Sequence, residues 1–144
     1  MTEEYNKLVR AVELKAIALT DLSHHRELNL RPPLQIKYEF SVGLESFSEK
    51  EFAARAEFSL DAFPKNKEKQ KEEKPTPDLS IKLTYHLIYV LSQAELEPSE
   101  ELIREFLDRN VPINIWPFIR ETVATLTAKM GLSPLILPTL KITR

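Results

Sequence analysis

LQIKYEFSVGLE, residues 34–45, alternates without a break. Leu34, Ile36, Tyr38, Phe40, Val42 and Leu44 are interleaved with Gln35, Lys37, Glu39, Ser41, Gly43 and Glu45. Successive side chains of a strand point to opposite faces, so this period of two predicts a strand with one buried and one wet face. Buried parallel strands read instead as continuous apolar runs, so the alternation also predicts antiparallel pairing.

The same pattern recurs on either side. In FAARAEFSLDAF (52–63), Phe52, Ala54, Ala56, Phe58, Leu60 and Ala62 fall on one face. In LSIKLTYHLIYVL (79–91) the odd-numbered residues from Leu79 to Leu91 do so, although Ile88 and Val90 make the opposite face apolar too. VELKAIALTDL (12–22) alternates less cleanly and completes a set of four strands. A short polar segment joins the second strand to the third, as in a hairpin. Residues 64–78, PKNKEKQKEEKPTPD, join the third to the fourth. Their five lysines are offset by Glu68, Glu72, Glu73 and Asp78, which predicts a solvated, mobile hairpin loop.

Beyond residue 96 the period changes. Ser99 can cap a helix whose first turn holds Glu100 and Glu101, and Leu102, Ile103, Phe106 and Leu107 form its apolar face. A second helix is expected from near Pro117, a residue tolerated in a first turn, with Ile119, Val123, Leu126 and Met130 at helical spacing. Gly131 is its natural stop. The expectation is a single α+β domain over residues 1–144: a four-stranded antiparallel sheet followed by C-terminal helices.

Composition narrows the function. The chain has 144 residues, a net charge of -2 and no cysteine. That balance argues against non-specific nucleic-acid binding, and the missing thiols remove disulfides and most structural zinc sites. With only Gly43 and Gly131, no glycine-rich phosphate loop can be built. MTEEYNKLVRAVELK carries no apolar core of a secretory signal, and no apolar run is long enough for a membrane span. A cytoplasmic protein without membrane insertion is expected. His24 and His25 are adjacent and diverge on a strand, His86 lies on a polar face, and no carboxylate is spaced to join them on a metal. No serine sits in a strand–turn–helix elbow, so the reading is of a non-enzyme without cofactor or metal.

What stands out is unspent apolar surface. GLSPLILPTLKI (131–142) carries Leu132, Leu135, Ile136, Leu137, Leu140 and Ile142, yet Pro134 and Pro138 bar a regular helix and spoil a central strand. Surplus apolar surface marks binding or assembly.

WPFIRETVATLTAKMGLSPLILPTLKI (116–142) resembles the SecB chaperone family. The matching residues are Trp116, Pro117, Phe118, Arg120 and Glu121 opening a helix, Gly131 closing it, and Pro134, Leu135, Leu137 and Pro138 in an extended connector. The order of four strands, a short helix and this motif is also similar. The resemblance implies a holdase that binds unfolded polypeptides without ATP and assembles as a homotetramer, a dimer of dimers packed through its helices. It places clients in apolar grooves lined here by Ile36, Tyr38 and Phe40 of the second strand and by Leu132, Leu135 and Leu137 of the connector. It assigns the Trp116, Pro117, Phe118, Arg120 and Glu121 motif to the helix or the oligomer interface. Export members, which serve protein transport and translocation, also dock the SecA motor through acids on the sheet. Asp21 in TDLSHH matches one of these, but the glutamate expected four residues on is His25, and the outward face of the fourth strand shows Lys82, Thr84 and His86. Export members continue beyond the connector into another helix, where this chain stops at Arg144. A SecB-like chaperone dedicated to the antitoxin of a toxin–antitoxin system fits the same residues. Outside the family, the readings are a small α+β protein with a hollow for an apolar ligand, and a purely structural oligomer.

Overall fold

The computed structural model describes residues 2–65, 76–92 and 97–140. Most of the charged loop expected over 64–78, and Ile142 of the apolar tail, lie outside these residues. The chain opens with a helix that the sequence reading did not anticipate, α1 (Glu3–Ala11). Thr2 caps it by accepting the Tyr5 N–H, Glu3 and Glu4 complement the positive end of its dipole, and Tyr5, Leu8 and Ala11 bury one face. Helix then passes into strand with no linker, and the carbonyl of Ala11 is held by the N–H and the hydroxyl of Ser92.

Four strands follow: β1 (Val12–Arg26), β2 (Leu34–Phe47), β3 (Glu51–Pro64) and β4 (Leu79–Leu91). All pair antiparallel in the order β1-β4-β3-β2, a Greek key in which β1 returns beside β4. β1 runs four residues past its expected end, kept in register with β4 down to Arg26 opposite Leu79, with register shifts between Leu14 and Ala16 and between Leu19 and Asp21.

The alternation puts the right residues inside. On β3 the even-numbered residues from Phe52 to Ala62 are buried, and on β4 the odd-numbered ones from Leu79 to Leu91. Two helices cover this inner face, α2 (Glu100–Arg109) and α3 (Val111–Lys129). Ser99 caps α2 through the Leu102 N–H, and Ile103, Phe106 and Leu107 are its buried residues. Phe106 stands edge-on to the stacked pair Phe52 and Tyr89, at 5.6 and 5.1 Å between ring centroids. Such pairs add about 0.5–1.5 kcal/mol each to the area they bury, which fixes where α2 lies on the sheet. α3 starts six residues before the expected point. Pro112 occupies its first turn, and Pro117 sits in its interior on the exposed side. The reason is local: Asn110 ends α2 and begins α3 without leaving helical backbone, so the two helices are nearly continuous.

Both edges of the sheet are less well covered. On β2, Ile36 and Tyr38 are 38% and 43% exposed although they point to the inner face. On β1, the inward residues Leu14, Leu19 and Leu22 are similarly half-exposed. The outer face carries no helix, which leaves Ile88 partly open beside Val90, as the two-faced pattern of β4 foreshadows.

Candidate functional site

α3 turns one face to the sheet through Val111, Ile115, Trp116, Ile119, Val123 and Thr127. It ends where Gly131 takes a φ of 81°, a left-handed conformation that costs other residues dearly. The Gly131 N–H reaches the Ala128 carbonyl and the Leu132 N–H the Thr127 carbonyl, the double closure of a Schellman turn. That turn sends residues 132–140 back along α3 as an extended connector. Side chains of α3 then hold its backbone. Thr127 Oγ1 accepts the Leu135 N–H at 2.9 Å, Arg120 Nε donates to the Leu137 carbonyl at 2.9 Å, and Trp116 Nε1 donates to the Pro138 carbonyl at 2.8 Å.

The indole that holds Pro138 also meets β2 and β3. Its ring lies 6.0 Å from Tyr38, 5.5 Å from Phe40 and 6.1 Å from Phe58, and Tyr38 is 5.8 Å from Phe58. Between β2 and the connector this leaves an apolar surface, exposed at Ile36 and Tyr38 and floored by buried Phe58 and Trp116, the latter only 4% exposed. The perturbed tyrosines lie under the helices. Burial pushes Tyr89 up to about 12, against the lowering effect of the hydrogen bond from Asn114, and burial likewise raises Tyr85 and Tyr5. Among the described residues no group of three His, Cys, Asp or Glu side chains could hold a metal ion, and no helix is long and apolar enough to cross a membrane. What this arrangement can do is bury apolar side chains.

The residues singled out from sequence are distributed as follows. Ile36, Tyr38 and Phe40 share the inner side of β2, and Tyr38 and Phe40 are linked to the connector through Trp116. Leu132 and Leu135 pack against the core further along, beside Thr127, whereas Leu137 is 2% exposed and belongs to the core itself. Among the large apolar side chains of the connector, Ile136 is the exposed one, at 65%. Within the helix motif, Trp116 and Arg120 spend their polar atoms on the connector. Pro117 is exposed, and Glu121 accepts the Thr125 hydroxyl one turn on. Phe118 lies on the opposite side of α3, half-exposed and 6.5 Å from Tyr85, whose partner on β1 is Leu19. Asp21 is exposed on the outer face opposite Thr84. On that face His86 Nδ1 and the Thr20 hydroxyl are 2.8 Å apart, and Arg55 is held above its ordinary value chiefly by its hydrogen bond to Glu57. Sequence reasoning missed Thr127. Its signal was a threonine on the buried stripe of α3, four residues after Val123, where a hydroxyl needs a partner.

No protein-family model and no curated protein sequence matches the chain. Among solved structures it is similar to Rv1957 of Mycobacterium tuberculosis, a SecB-like chaperone in complex with a ChAD peptide from the Rv1956 HigA1 antitoxin. The TM-score is 0.77 at 20% identity, over 95% of this chain and 96% of that one. A protein of unknown function from Streptococcus agalactiae aligns over 89% of this chain and 97% of its own, at 11% identity and a TM-score of 0.39. The first likeness establishes the fold.

Proposed function

We propose that this chain, SecB-like in fold, is an ATP-independent holdase that takes unfolded polypeptide into the hollow between β2 and the connector. The observation that carries this reading is the row Ile36, Tyr38 and Phe40, which leaves apolar surface half-open on an edge strand beside an aromatic floor. Burial of client side chains there is worth roughly 25 cal/mol per Å² before ordering costs, and a force without direction suits varied clients. The inward residues of β1, with Phe118 of α3 beside Tyr85, form a second half-exposed strip on the other side. That strip supports self-association, with the homotetramer of the SecB family as the assembly. Work in the cytoplasm fits a chain without cysteine.

The test is suppression of aggregation. An unrelated unfolded polypeptide is diluted into the protein without nucleotide, and light scattering is followed beside the Ile36→Ser/Tyr38→Ser variant. Both side chains are substantially exposed, so the variant should stay folded and lose most of the suppression. A wild type that stays folded and leaves scattering unchanged would falsify general holdase activity. Leu137 is unsuited to this purpose, because its substitution would damage the core.

A second reading, a chaperone dedicated to one antitoxin, is favoured by the bound antitoxin peptide of the M. tuberculosis neighbour. It predicts one tight peptide ligand and little effect on unrelated chains. Export through SecA rests on Asp21 being exposed on the outer sheet face, and direct binding of purified SecA, abolished by Asp21→Asn, would support it.

A further inference from the structure

The connector has no structural reason of its own to stay where it is. Residues 133–140 form neither helix nor strand, and Pro134 and Pro138 have no N–H to offer a ladder. Each residue held in one extended well loses conformational entropy, so a segment of this kind is fixed only by contacts from outside. Leu137 anchors it in the core, and the polar contacts to its backbone come from one stripe of α3. At about 100° per residue, Arg120 lies about 40° and Thr127 about 20° round the helix from Trp116. All three address connector backbone.

Each of the three is also hard to account for otherwise. Among the described residues Thr127 is the one buried polar side chain, and its hydroxyl both donates to carbonyls of its own helix, Val123 at 2.8 Å and Ala124 at 3.1 Å, and accepts the Leu135 N–H. Arg120 makes no ion pair among the described residues and aims its Nε at a carbonyl. Trp116 alone touches both sides of the hollow, with its ring against Tyr38 and Phe40 and its Nε1 on Pro138.

We propose that Trp116, Arg120 and Thr127 are positioning residues of the client site: together they clip the connector to α3 through its backbone and so hold it as a fixed wall of the hollow. The proposal rests on the holdase reading and adds a specific division of labour to it. Connector side chains serve the core and the client, while the clip is written in α3. Because the clip holds backbone, the exposed connector residues, such as Ile136, can vary without releasing the wall. Because one of its members is the floor of the hollow, the wall and the β2 side are tied at the Pro138 end.

The experiment uses the full chain and two readouts. Amide hydrogen exchange is followed in the connector and in β3 and β4, for wild type, Thr127→Val, Arg120→Met and Trp116→Phe. Each variant keeps most of the side-chain volume and removes the donor or acceptor. Loss of one hydrogen bond should speed connector exchange roughly fivefold to tenfold, with β3 and β4 unchanged. Thr127→Ser and Arg120→Lys, which keep a hydroxyl and a donor, should restore protection. Release of reduced, carboxymethylated α-lactalbumin, a permanently unfolded probe, should be several-fold faster in Thr127→Val and normal in Thr127→Ser. Unchanged connector exchange in Thr127→Val and Arg120→Met overturns the clip. Faster exchange with unaltered release overturns its role at the site. A wild type that never holds the probe, whatever the exchange pattern, removes the general holdase reading and this role with it.

Discussion

Tyr89 shows how a single polar atom can set the behaviour of this core. Its ring stacks on Phe52 under α2, and its hydroxyl accepts a hydrogen bond from Asn114 Nδ2 at 2.8 Å. Burial dominates, so the phenol stays neutral up to about 12. In the unfolded chain a tyrosine ionises near pH 10. Below that pH the two states bind the same number of protons and the stabilising difference is fully present. As pH rises the unfolded chain loses its proton first, so stability falls between about pH 10 and the folded value near 12. Tyr85 and Tyr5 are shifted in the same direction and add to the loss. Denaturant titrations at pH 8 and pH 11 should therefore show a marked drop in the wild type, and a smaller one in Tyr89→Phe. Equal drops in the two proteins would contradict this account. Single residues were also the least legible level of the sequence. The apolar character of Tyr38 and Phe40 could be read from alternation alone, but Leu137 looks no different from Leu135 in the chain, and only the turn at Gly131 decides that one is core and the other half-open.

At the scale of elements, α3 contains its own inconsistency. Pro117 lies in the helix interior, where it deletes an N–H and crowds the carbonyl four residues back. That carbonyl belongs to Ile113, which is half-exposed, so water can satisfy it. Pro117 itself is exposed, and an alanine there meets no steric obstacle from neighbouring elements. Pro117→Ala should accordingly stabilise the protein by about 1–3 kcal/mol, seen as a rise in thermal midpoint of several degrees. A lower midpoint would show that the break in the helix is needed by its packing. The same residue explains a misreading. A proline is a good marker of a first turn, which points to Pro117, but Pro112 five residues earlier holds that position. β2, β3 and β4 were legible because each alternates over twelve or more residues and tertiary contacts agree with local pattern. β1 reads less clearly because two register shifts interrupt its alternation. α1 was overlooked for another reason: its nine residues show just three buried positions, and its evidence lies in the cap at Thr2 and the acids after it.

For the whole molecule, two strips of half-covered apolar surface flank α3 on the inner side of the sheet. One, along β2, is the candidate client site. The other joins Leu14, Leu19 and Leu22 of β1 to Phe118 of α3. If copies of the chain associate through the second, a charge placed there should separate them and spare the first. Leu19→Asp with Phe118→Asp is expected to yield a folded species of lower mass in sedimentation velocity, with Ile36 and Tyr38 still able to engage an unfolded chain. An unchanged mass would mean that any assembly uses another face. Alternation and capping made the α+β arrangement legible. Which strip serves which purpose was not legible, because the two draw on the same residue types and differ only in what α3 happens to cover. The position of α3 has one more effect. Trp116 is the sole tryptophan of the chain, and it stands where β2, α3 and the end of the connector meet. Light emitted by the native protein under selective indole excitation therefore comes from one address. The molecule carries an intrinsic optical gauge at that junction, readable at any step of a binding experiment without attaching a dye.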